Sequence, residues 1–192
     1  MPSMNDSTPL RLAVIVGSTR EGRFADTVAR WFVEEAARDD LVIDVLDLVD
    51  LDLPAHLPAT RPPSVDAFAG RVAAADGFVV ITPEYNHGYP APLKQAIDLL
   101  RREWQAKPVG FVSYGGMSGG LRAVEQLRQV FAEVHAVTVR DTVSFHGAWQ
   151  CFADGRPVDA VGPAAAVKTM LDEWAWWAEA LRTARHAHPY AA

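Results

Sequence analysis

Three short apolar runs constrain this chain more than any other feature. Leu10 to Val16 is interrupted only by Arg11, Gly77 to Ile81 not at all, and Lys107 to Tyr114 opens on a lysine and Pro108. A strand that is apolar at successive positions has to be covered on both faces. Proline is tolerated where it stands here, at the start of a strand. The segments between the runs carry a different period. Leu93, Ala96, Ile97 and Leu100 fall at i, i+3, i+4 and i+7, the spacing of a helix with one face on a core. Phe24, Val28, Trp31 and Phe32 form such a stripe, as do Val65, Phe68 and Val72, and Leu121, Val124, Leu127 and Phe131. Val167, Met170, Leu171, Trp174, Trp177, Ala178 and Leu181 line a last helix. Leu41 to Leu48 and Val134 to Phe145 supply two further strands.

Strands alternating with helices in this way predict an α/β fold, a doubly wound parallel sheet with helices on both faces. Five strands suit the flavodoxin-like order 2-1-3-4-5, in which ligands bind beyond the carboxyl ends of strands one and three. With 192 residues and neither repeats nor low-complexity linkers, one domain is expected over residues 10–185, flanked by tails at 1–9 and 186–192. The proline-rich stretch from Leu53 to Pro63 is long for a connector.

A net charge of -6 argues against a nucleic-acid surface, so any anion site must be local. The single cysteine, Cys151, can form neither an internal disulfide nor a cysteine metal cluster, and reads as a small semi-buried residue. No signal pattern opens the chain, and no apolar run reaches the ~20 residues that span a bilayer. A cytoplasmic protein is expected, with no membrane partner.

The turns after strands one, three and four open on one edge of such a sheet. Gly17-Ser18-Thr19-Arg20-Glu21-Gly22-Arg23 joins a strand to a helix N-terminus, where free N–H groups and the helix dipole favour an anion. Ser18 and Thr19 offer hydroxyls there, and Arg20 and Arg23 offer charge-assisted bonds. Arg23-Phe24 replaces the lysine and Ser/Thr of a nucleoside-triphosphate loop, and no G-x-G-x-x-G is present. The second turn, Pro83-Glu84-Tyr85-Asn86-His87-Gly88-Tyr89-Pro90, crowds a carboxylate, an amide, aromatics and an imidazole between prolines. The third, Ser113 to Gly120, has four glycines in its last six residues and lets backbone approach a flat ligand.

These motifs carry a resemblance. Gly17-Ser18-Thr19-Arg20, Pro83-Glu84-Tyr85-Asn86-His87 with Pro92-Leu93-Lys94-Gln95-Ala96-Ile97-Asp98, and Ser113-Tyr114-Gly115-Gly116 resemble the NADPH-dependent FMN reductase family. That family includes small quinone, chromate and azo-dye reductases. The likeness runs from about Leu10 to Phe145. It implies noncovalent FMN, NADPH as cosubstrate, and a homodimer or homotetramer whose subunits help wall the flavin site. It places the FMN phosphate at Ser18, Arg20 and Arg23, and the ring at Pro83, Glu84, Tyr85 and Asn86. Ser113, Tyr114, Gly115 and Gly116 complete the site. Arg23-Phe24 departs from the pattern, since many relatives carry a hydroxyl residue near the phosphate.

The mechanism so implied is ping-pong: hydride passes from NADPH to bound FMN, then to a quinone, free flavin, azo dye or similar small acceptor. It requires no metal and no protein nucleophile, and His87 is only a weak candidate for a proton donor. His135, His146, His186 and His188 show no ligand-like spacing. Trp174 and Trp177 fall on the apolar stripe, whereas Trp176 is rotated away at ~100° per residue. A phospho-receiver domain would need acidic residues after strand one and an aspartate after strand three, where Gly17-Ser18-Thr19 and Pro83-Glu84 stand. A nonenzymatic flavin-binding carrier or redox sensor is the competing reading. Carriers of this fold are strongly acidic, and -6 over 192 residues only leans that way.

Overall fold

The computed structural model describes residues 8–191, so most of the tail expected over 1–9 lies outside the described residues. In chain order the elements are β1 (Leu10–Val16), α1 (Ala25–Glu35), β2 (Leu41–Asp47), α2 (Pro63–Ala74), β3 (Gly77–Pro83), α3 (Ala91–Asp98), β4 (Pro108–Gly115), α4 (Leu121–Glu133) and β5 (Val137–His146). A one-turn α5 (Ala148–Cys151), a small hairpin of β6 (Phe152–Ala153) and β7 (Arg156–Pro157), and the long α6 (Val161–Ala187) follow. The five long strands are all parallel and stand in the order β2-β1-β3-β4-β5.

Strand alternation divides the side chains between two cores. From β1, Leu12, Val14 and Val16 point toward α1 and α6, where they meet Val28, Phe32, Met170 and Trp174. Ala13 and Ile15 point the other way, into a core shared with Phe68, Leu93 and Phe131 of α2, α3 and α4. The three central strands β1, β3 and β4 are buried almost throughout, as their apolar runs require, while β2 and β5 are half-exposed edges. Trp104, on a 3-10 turn over Arg102–Trp104, fills the second core completely. Its indole N–H donates to the Ile97 carbonyl at 3.1 Å and its ring meets Phe78 edge-on at 4.8 Å. On α6, Trp174 is buried and Trp176 is 63% exposed, as the helical period predicts.

One expected strand boundary moves. Val134, His135 and Ala136 precede β5 instead of joining it, because they close α4. His135 takes φ 60°, its N–H donates to the Ala132 carbonyl at 3.0 Å, and the Ala136 N–H donates to Phe131 at 2.9 Å. That bond pair is the Schellman closure of a helix, here with histidine in the position that usually holds glycine. The tail expected over 186–192 likewise begins inside α6, which runs to Ala187. The stretch from Leu53 to Pro62 is irregular until Pro63 opens α2.

At the edge of the sheet away from the glycine-rich turns, Lys107 is almost wholly buried. Its Nζ donates to the last carbonyls of α2, Val72 at 2.8 Å and Ala73 at 2.9 Å. Burial, with Arg185 nearby, pushes its ammonium down to about 8 from 10.5. Across that window the unfolded chain binds the extra proton, so stability must rise as pH increases from about 8 to 10.5. We expect the stability difference between the natural protein and Lys107→Met to change by up to about 3 kcal/mol across this window, in favour of lysine at high pH. Urea unfolding at a series of pH values checks this; a constant difference would show that Lys107 titrates normally.

Candidate functional site

The central ladder continues past the ends of its strands. The Gly17 N–H donates to the Ile81 carbonyl at 2.9 Å, and the Glu84 N–H to the Tyr114 carbonyl at 3.2 Å. The turns after β1, β3 and β4 are thereby held side by side.

In the first turn, the backbone N–H groups of Thr19, Arg20, Glu21 and Gly22 donate to no described group. Gly22 takes φ 63°, and α1 starts beyond Phe24 with no side-chain cap. An uncapped helix start beside open amides is a natural anion cradle. The Arg20 side chain is exposed and has no partner among the described residues. Arg23 differs. Its Nε donates to Asp26 at 2.8 Å, Nη1 to Asp47 at 2.7 Å and to the Ser18 carbonyl, and Nη2 faces both carboxylates. Four of its five N–H groups are thereby hydrogen-bonded within the chain. Arg23, expected at the phosphate, lines the cleft and ties its loop to β2. Ser18 is also fully buried, its Oγ 3.0 Å from the Tyr85 hydroxyl, so its side chain links two turns.

In the second turn, Glu84 points back into the protein. Burial alone would raise its pKa, but the Ser118 hydroxyl, the Arg122 N–H at 3.2 Å and the Arg122 guanidinium at 3.0 Å outweigh it and hold the carboxylate below its ordinary range. Tyr85 and Gly88 exchange backbone bonds of 2.9 and 3.0 Å around Asn86 at φ 51° and His87 at φ 70°. Two central residues at positive φ make this a tight primed turn, costly for non-glycine residues. Gln126 Nε2 donates to the His87 carbonyl at 2.8 Å and holds it there. The side chains of Asn86 and His87 are exposed at the tip, outside the cleft lining.

The third turn is built around buried Ser113, whose Oγ donates to the Gly119 carbonyl at 2.8 Å. Gly119 and Gly120 have φ 61° and 88°, and a Cβ on Gly120 would come within 2.6 Å of Ser113 Cβ. Both glycines are required by the chain itself. Gly116 is not: its φ is ordinary, and a Cβ there would meet no protein atom within 4 Å.

Together these turns enclose a cleft of about 330 Å³, lined by Arg20, Gly22, Arg23, Phe24, Pro83, Glu84, Tyr85, Tyr114, Gly115, Gly116 and Trp149. Of the residues expected from sequence, Arg20, Arg23, Pro83, Glu84, Tyr85, Tyr114, Gly115 and Gly116 therefore meet there. Ser18 and Ser113 support it from behind, and Thr19 opens instead onto a neighbouring apolar pocket formed with Leu48, Leu53 and Pro92. Burial raises the Tyr114 phenol well above its ordinary value, so it remains protonated. Trp149 and Phe24 were not anticipated in the site. Trp149 lies in the stretch after Gly147, which has no periodic pattern to betray it. Among the described residues, no cluster suited to a metal ion occurs and no helix is long and apolar enough to cross a membrane.

The 2-1-3-4-5 sheet defines a flavodoxin-like α/β protein, with the three-turn cleft beyond the carboxyl ends of its central strands. Comparison with known proteins specifies the class further: the chain belongs to the NADPH-dependent FMN reductase family, whose model matches residues 10–150. An NAD(P)H-dependent FMN reductase of Schizosaccharomyces pombe is 39% identical over 130 residues, spanning 62% of this chain and 64% of that protein. An NADPH:quinone oxidoreductase of Arabidopsis thaliana is 32% identical over 166 residues, 79% of this chain and 84% of that one. Among solved structures, the flavoenzyme NAD(P)H:(acceptor) oxidoreductase FerB of Paracoccus denitrificans superposes with a TM-score of 0.74 at 26% identity, covering 89% of this chain and 98% of that one.

The two arginines should separate cleanly in stability measurements. Arg23→Ala removes the guanidinium from Asp47 and from the Ser18 carbonyl and should destabilise the fold by about 2–4 kcal/mol. Arg20→Ala should stay within about 0.5 kcal/mol of the natural protein. Urea denaturation of the ligand-free protein measures both; equal effects would refute the division of roles.

Proposed function

We propose that the three-turn cleft binds FMN noncovalently and that the protein uses it to pass electrons from NAD(P)H to quinones, free flavins, azo dyes or similar small acceptors. One observation carries this reading. Neither backbone conformation nor packing against protein requires glycine at 116, whereas a flat ring pressed on that backbone would. Its neighbours suit the rest of the molecule. The open amides of residues 19–22 and the unpaired Arg20 fit a phosphate, and the polypeptide around Pro83, Tyr85 and Gly115 offers a flat wall.

Bound FMN would supply the hydride-accepting chemistry, with the polypeptide providing position and electrostatics. Arg20 holds charge at the phosphate end. Gly115 and Gly116 admit the ring closely, and the protonated Tyr114 behind them keeps a neutral, rigid floor. Glu84 takes no part in proton transfer, because Ser118 and Arg122 keep its carboxylate occupied and ionised. Asn86 shapes the turn that carries Tyr85. A single cleft serves donor and acceptor in turn, which gives ping-pong kinetics. The family resemblance supports a homodimer or homotetramer, and the lone cysteine and acidic balance suit the cytoplasm.

An absorption spectrum after FMN reconstitution and desalting, followed by anaerobic NADPH, tests the assignment. Retained flavin bands that bleach promptly are expected. Retained flavin that NADPH leaves oxidised would make the protein a carrier or sensor, and neither retention nor reduction would end the reading. Gly116→Ala should weaken FMN binding at least about tenfold while leaving the unfolding midpoint of the FMN-free protein unchanged, since its methyl enters open space. Arg20→Ala should weaken binding by roughly 1.5–3 kcal/mol.

A further inference from the structure

Of the two large side chains of the cleft that the family motifs do not supply, Phe24 is half-buried against Tyr114 and Phe152, and Trp149 stands exposed. It is 66% exposed, an unusual placement for tryptophan, yet the backbone beneath it is firmly held. Gly147, at φ 56°, donates its N–H to the Gly116 carbonyl at 2.8 Å, which ties α5 directly to the bare glycine of the cleft. Ala148 is completely buried, and Cys151 Sγ donates to the His146 carbonyl at 2.9 Å. The Val158 N–H donates to the Cys151 carbonyl at 2.8 Å, closing the hairpin against the same turn. Every neighbour of Trp149 is anchored while its indole is left uncovered at the rim.

Packing does not explain that indole. Trp176, the other strongly exposed tryptophan, meets Trp177 edge-on at 5.0 Å. Trp31 contacts Phe145 and Phe152, and Trp104 contacts Phe68, Phe78 and Phe131. Trp149 meets no other ring among the described residues. The cleft floor is backbone and buried phenol, and Trp149 stands at its solvent-facing margin.

We propose that Trp149 is the outer stacking wall for planar aromatic electron acceptors, selecting them over compact non-aromatic ones. The inference rests on the flavin-reductase reading. An indole face offers dispersion and quadrupole complementarity to a fused or substituted aromatic ring and nothing comparable to a small inorganic ion. Its rigid base limits the freedom lost on binding to rotation of the side chain alone.

Anthraquinone-2-sulfonate titrated calorimetrically into the oxidised, FMN-loaded protein without NADPH tests this free of turnover. Trp149→Ala should raise its Kd roughly three- to tenfold, and Trp149→Phe should remain within about twofold. FMN affinity should be the same in all three proteins. In steady state, Trp149→Ala should raise KM for menadione at least about threefold more than KM for ferricyanide. An unchanged anthraquinone Kd in Trp149→Ala overturns the proposal. So does a loss of FMN affinity, which would make Trp149 a flavin wall, or a change of oligomeric state in sedimentation, which would make it a subunit contact. If the natural protein fails to retain FMN, the underlying reading fails first, before any variant is compared.

Discussion

The structure depends on the in-register parallel pairing of β1, β3 and β4. Val16 lies beside Ile81 and Pro83 beside Tyr114, so the three strands release their chains at the same edge, β1 two or three residues before the others. Two further backbone bonds, from Gly17 and Glu84, extend the ladder into the turns. Apolar burial on both faces of these strands fixes the pairing, because a slip of one residue would exchange the two cores. The cleft is therefore a consequence of hydrophobic order, with its polar chemistry confined to the places where the ladder ends.

Charge is distributed in the cleft by cancellation. Glu84 is neutralised by Arg122, and Arg23 by Asp47 and Asp26. What remains without an ion-pair partner among the described residues of the first turn is Arg20 and its neighbour Glu21, beside the partial positive charges of the open amides. The donors available to an anion here are local, as the net charge of -6 requires. The paired groups act as struts: Glu84 joins the second turn to the third, Arg23 joins the first to β2, and the Ser18–Tyr85 contact joins the first to the second.

Strands, helix faces and the three turns were legible in the sequence because each rests on local composition or period. Trp176 and Trp174 went to opposite environments for the same reason. The sheet order came only from five strands suiting a flavodoxin-like arrangement. Side-chain partnerships were not legible. Arg23 and Asp47 are 24 residues apart, and only the register that sets Val16 beside Asp47 reveals them as partners. Ser18 reads as a hydroxyl donor to a ligand, yet it is buried by a contact across turns, and Ser113 is buried as well. His135 passed as strand because a histidine in a Schellman closure lacks the usual glycine signal. Trp149 left no trace beyond its identity, since a single helical turn is too short to show a period.

The Arg23 staple has a consequence for the life of the protein before any ligand arrives. Because residue 18 is tied to residue 47 by the chain's own charges, the rim acquires its shape during folding and does not have to be moulded afterwards. A loop ordered by the chain's own bonds spares an incoming ligand the entropy of ordering it, so more of each new contact appears as affinity.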